Sequence, residues 1–107
     1  MGTLNAFEET LLHDPDVRFG FDNYEVLKQI GALVRDMRVQ SAMSQTALGE
    51  ASGFHQAEIS RLESGSMERG PSLLTLVRLA HAAGKRLVIG IEDEEGENKE
   101  STRVLTL

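Results

Sequence analysis

The stretch SQTALGEASGFHQAEISRLESG, Ser44 to Gly65, decides the fold. It holds two helical patterns split only by Gly53 and Phe54. Ser44 is a hydroxyl cap for the first, and Gly53 supplies the left-handed residue that stops it. His55 or Phe54 opens the second, which stops at Ser64-Gly65. Two helices joined so tightly must cross steeply, and that crossing makes demands on the residues. A small residue is needed where the helices approach, and Gly49 is there. A turn free of Cβ strain is needed, and Gly53 provides it. Leu48, Phe54, Ile59 and Leu62 have the spacing to bury both inner faces. Gln56, Ala57, Ser60 and Arg61 then share the opposite face of the second helix.

The flanks carry compatible patterns. Upstream, a helix is expected from about Asp22, with Asp22 and Glu25 as a capping box and Phe21 stapling onto Val26. Its apolar stripe runs through Leu27, Ile30, Leu33 or Val34, and Met37, leaving Lys28, Arg35 and Arg38 off centre. Ser41 to Ser44 end it, and Met43 staples onto Leu48. Downstream, Pro71 and Ser72 start a further helix, apolar at Leu73, Leu76, Val77, Leu79, Ala80 and Ala83. Thr75 and Arg78 mark its wet side, and Gly84 closes it. The period then changes. Arg86 to Glu92 reads as a strand, and the alternating TRVLTL as a second. Before Asp22, Asn5 and Glu8 suit another capping box, and Asp14-Pro15 interrupts that helix.

Composition narrows the function classes. The net charge is −6, and there is no cysteine, which excludes disulfides, thiolate zinc sites and cysteine nucleophiles. The charge is unevenly spread. Residues 1–24 carry five acids against Arg18, and residues 92–107 carry six against Lys99 and Arg103. The middle carries eight bases against six acids. Local field matters more to phosphate binding than the total does. His13, His55 and His81 lack metal-ligand spacing, and no nucleophile–base pair stands out. No enzyme, metal or cofactor is expected. No apolar run reaches the roughly 18 residues of a bilayer span. Nor does the start have the layout of a signal peptide, so the expected location is the cytoplasm.

The motif S-Q-x-x-L-small, then G-Φ-x-Q-x-x-I-S-R-L-E-x-G, then P-S-L-x-T-L, resembles the Cro/C1-type (XRE) helix-turn-helix family over about residues 24–84. Gly49 and Ser52 depart from it, standing where alanine and an apolar residue are usual. The resemblance implies a mainly α fold: a lambda-repressor-like helix-turn-helix bundle with an N-terminal helical arm and a short C-terminal strand or hairpin. It implies double-stranded operator DNA as partner. Gln45 would meet a phosphate and brace Gln56. Gln56, Ala57, Ser60 and Arg61, with His55 at the helix start, would face bases or nearby phosphates. Gln and Arg are the side chains able to contact adenine and guanine bidentately. Arg69 would meet backbone phosphate. Arg38 and Glu63 match the family's structural ion pair.

Three regions are expected: an arm (1–21), the DNA-binding domain (22–84) and a C-terminal β extension (85–107). The arm, with its DPDVR segment, and the closing KRLVIGIE also resemble the HigA-like antitoxins, which repress their own operon and neutralise a RelE-like mRNA-cleaving toxin. That implies a basic toxin partner for the apolar, acidic arm through Phe7, Leu11, Leu12, Val17 and Phe19. A core of about 60 residues is thin, and paired recognition helices read two half-sites about 34 Å apart. A homodimer is therefore expected, with LVIGI pairing either with TRVLTL or with its copy in a second protomer.

Overall fold

The computed structural model describes residue 6, residues 13–94 and residues 103–107, without the side chains of residues 19–22. Among them run α1 (Pro15–Asp22), α2 (Tyr24–Gln40), α3 (Gln45–Ser52), α4 (Gln56–Ser64) and α5 (Leu73–Ala82), then β1 (Val88–Gly90) and β2 (Val104–Thr106). The fold is the helix-turn-helix bundle with a small antiparallel hairpin. The expected capping box at Asn5 and Glu8 lies outside the described residues.

The helix ends follow from the caps. Ser44 Oγ accepts the Ala47 amide at 3.0 Å, and Ser72 Oγ accepts the Thr75 amide at 3.1 Å. Gly53 and Gly65 take the left-handed conformation at φ 82° and 74°. Ser66 then returns its amide to the Arg61 carbonyl at 3.0 Å and Gly65 to Leu62 at 3.1 Å, which closes α4. One start differs from expectation. Asp22 does not cap α2; it ends α1, and Asn23 takes the N-cap position. Pro15 is the reason. It opens a helix of its own, where a missing N–H does no harm. The expected boundary between residues 21 and 22 therefore falls within the last turn of α1.

Val34, Leu48, Ile59, Leu62 and Leu79 form the buried core, with Ile30, Met37, Met43, Phe54, Met67 and Leu76 packed around it. Leu48, Ile59 and Leu79 are fully buried, so truncating any of them to Ala should cost about 2–5 kcal/mol. Of the two expected stripe residues in α2, Val34 is buried and Leu33 is exposed. Leu73 also lies outward, although it counted among the apolar positions of α5: it is the first residue of the helix, and the bundle is met by Leu76, Leu79 and Ala80 further along. Val26, expected as a staple, is exposed too.

Two glycines set how closely the helices approach. A Cβ on Gly49 would stand 2.6 Å from the Phe54 carbonyl oxygen. One on Gly31 would stand 2.5 Å from the carbonyl oxygens of both Leu62 and Glu63. So α3 and the turn after it, and α2 and the end of α4, meet closer than an alanine allows. Ser52, where the family prefers an apolar residue, is buried and donates its hydroxyl to the Leu48 carbonyl at 2.7 Å. The polar group is satisfied by its own helix.

The strands pair within the chain. Val88 lies opposite Thr106, Ile89 opposite Leu105 and Gly90 opposite Val104. β1 is shorter than the expected Arg86–Glu92 run. Val88, Ile91, Val104 and Leu105 remain exposed. No described helix is long and apolar enough to cross a membrane.

Candidate nucleic-acid interface

α4 is held from below by Ile59 and Leu62, both buried. The helical period then fixes what faces out: Gln56, Ala57 and Arg61 are exposed, and Ser60 is half-buried. His55 is exposed at the N-cap, where its backbone amide donates to Glu58 Oε1 at 3.1 Å. A short side chain at position 57, flanked by an amide, a hydroxyl and a guanidinium, makes a face that fits between two walls of phosphate. No described residue pairs with the Arg61 guanidinium.

A chain of hydrogen bonds ties this face to the interior. Arg38 donates through Nε to Glu63 Oε2 at 2.7 Å and through Nη2 to Oε1 at 2.9 Å. Its Nη1 donates to the Met43 carbonyl at 2.9 Å, which secures the loop before α3. Glu63 Oε1 also accepts from Gln45 Nε2 at 3.3 Å. Gln45 Oε1 in turn accepts from Gln56 Nε2 at 2.8 Å. Because Glu63 only accepts, it orients the Gln45 amide, which orients that of Gln56. Gln56, an exposed residue, keeps its carbonyl oxygen and one N–H beyond that bond, the donor–acceptor pair that a bidentate adenine contact needs. The hydrogen bonding of Arg38 to Glu63 is the main reason the Arg38 pKa lies above its usual value, against the opposing effect of burial.

The remaining expected site residues are spread apart. Arg69 is exposed in the loop before α5 and is engaged by Asp14 at the start of α1. Val17 is buried. Phe7, Leu11 and Leu12 lie outside the described residues, as does the side chain of Phe19.

Three contributors escaped the sequence reading. Gly31 carries the α2–α4 approach, and nothing local marks it. Arg78, assigned only to a wet face, stacks its guanidinium over the Phe54 ring with its Cζ 5.0 Å from the centroid and lies beside Gly53. It thereby braces the turn itself. Asp14 is the third. Its position before a first-turn proline was a legible helix-start signal, but its reach to Arg69 was not.

A helix-turn-helix family model matches residues 34–89. The chain is 30% identical to the restriction-modification controller protein C.AhdI from Aeromonas hydrophila, over 60% of this chain and 90% of that one, with a TM-score of 0.55. No curated protein matches the sequence.

Proposed function

This chain belongs to the helix-turn-helix family, in its Cro/C1 branch of DNA-binding regulators, and from that premise we propose that it is a sequence-specific repressor that occupies operator DNA as a homodimer in the cytoplasm. It works by binding and not as an enzyme. The observation that carries this reading is the outward face of α4, with Gln56 oriented from the interior through Gln45 and Glu63. Gln56 and Arg61 read base edges. Gln45 keeps one N–H for phosphate, and Arg69 supplies a cation to the backbone. Exposed Val88, Ile91 and Val104 on the hairpin give a second protomer an apolar surface to cover.

The finer reading is that of a HigA-like antitoxin, whose acidic arm takes a basic RelE-like toxin while the domain represses the shared operon. The charge of residues 1–24 supports it, through steering of a basic partner. A second reading is a regulator that works without a toxin; the likeness to a restriction-modification controller protein supports the DNA-binding core that both readings share.

Selection from a random-sequence duplex pool tests the common core. A single enriched motif is expected. Arg61→Ala should weaken binding to it by about 1–3 kcal/mol and relax one position, with thermal stability unchanged. Recovery of unenriched DNA would sink the proposal. Co-expression with the adjacent genes separates the finer readings. A basic product that co-purifies, and is lost on Leu11→Ser with Leu12→Ser, supports the antitoxin.

A further inference from the structure

We propose that Asp14 acts as an intramolecular phosphate mimic, competing with the DNA backbone for Arg69 and so restraining DNA binding through the N-terminal arm. This rests on the DNA-binding reading above. Asp14 does two things at once. Its Oδ1 accepts the amides of Asp16 at 2.9 Å and Val17 at 3.4 Å, which starts α1. Its Oδ2 accepts from Arg69 Nη2. The carboxylate is thus held at the arginine by the helix it caps, a helix in which Val17 is buried.

Arg69 is well placed to be contested. Its neighbours Met67, Gly70 and Pro71 line a cavity of about 220 Å3 together with Glu58 and Ile59, so the loop lies against α4, the helix that reads DNA. Gly70, in the left-handed region at φ 69°, turns the chain there against Leu27. The guanidinium is 62% exposed and the carboxylate 32% exposed. Such a pair exchanges readily with water and with other anions. A phosphate arriving at Arg69 meets one cation already neutralised, with the carboxylate of Asp16 two residues along. It gains the full attraction only when Asp14 swings away. By reciprocity, DNA that captures Arg69 loosens the start of α1.

The test uses the full chain, with two variants that keep a capping side chain but remove the charge, Asp14→Ser and Asp14→Asn. Asp16→Ser is the control for net charge, and Arg69→Ala is the background that removes the contested cation. Affinities are measured across a salt series on random-sequence duplex and on the duplex selected from the pool. Both Asp14 variants should bind about two- to fivefold more tightly than the wild type. Their salt slope should steepen by up to about 0.9, one phosphate contact. The gain should be equal on both duplexes, because phosphate carries no sequence. Asp16→Ser should gain less than half as much, and Asp14→Ser should gain nothing when Arg69 is Ala. Equal gains for Asp14→Ser and Asp16→Ser, or a gain that survives Arg69→Ala, overturn the competition alone. A wild type that binds neither duplex overturns the DNA reading and the competition with it.

Discussion

Among the described residues, two arginine–carboxylate pairs, Arg38 with Glu63 and Arg69 with Asp14, join distant parts of this chain, and they share little beyond their chemistry. Arg38 and Glu63, 25 residues apart, meet through two parallel hydrogen bonds with 14% and 4% of their side chains exposed. Arg69 and Asp14, 55 residues apart, share one bond and remain 62% and 32% exposed. In the first pair little water reaches either side chain, and Arg38 also holds the Met43 carbonyl, so the pair ties α2, α4 and the loop before α3 together. In the second, water competes at both ends, so the contact can be exchanged for another. The same two side-chain types serve as framework in one place and as a releasable clasp in another. Burial makes the difference.

The comparison breaks most visibly at Glu63. Glu63→Ala leaves Arg38 buried without its anion and should lower stability by about 3 kcal/mol or more, read as the urea midpoint. Arg38→Met with Glu63→Leu should recover most of that, since an apolar pair of similar volume carries no desolvation penalty. If Glu63→Ala unfolds no more easily than the wild type, the pair is not the framework described. Next in size is Gly31→Ala. Its methyl would strike backbone carbonyls, which cannot rotate away, so a loss of about 1–3 kcal/mol is expected in the same assay. Gly70→Ala, beside the exposed pair, should lose about 1 kcal/mol, from the left-handed backbone. There the obstructing atom is a methyl of Leu27, which can move. Smallest is Asp14→Asn. It keeps the cap and breaks an exposed pair, so its thermal midpoint should move by no more than about 1 kcal/mol implies. A loss matching that of Glu63→Ala would erase the contrast between the pairs.

Much of this molecule was legible before any coordinates. Ser44, Gly53, Gly65 and Ser72 are local signals, each set by the backbone conformation at one residue, and each stands where its chemistry placed it. The outward set on α4 followed from a period of 3.6 residues anchored by Ile59 and Leu62. Legibility failed where a residue's role depended on something far along the chain. Gly31 looks like an ordinary interruption of a helix until the end of α4 lies against it. Leu33 and Val34 have equal claims to the core by spacing, and only the direction of α4 and α5 chose Val34. Asp22 looked like a cap because Pro15 read as a break, when it was also a beginning.

By itself, the sequence determined the helix-turn-helix, because caps, a left-handed glycine and one apolar period are short-range and leave few alternatives. Tertiary structure alone decided three things. LVIGI pairs with the chain's own TRVLTL, Gln56 is turned by a glutamate seven residues on through a glutamine eleven residues back, and Asp14 holds Arg69. Each is a choice among partners remote in sequence, settled by which surfaces the packed core brings within reach of a hydrogen bond.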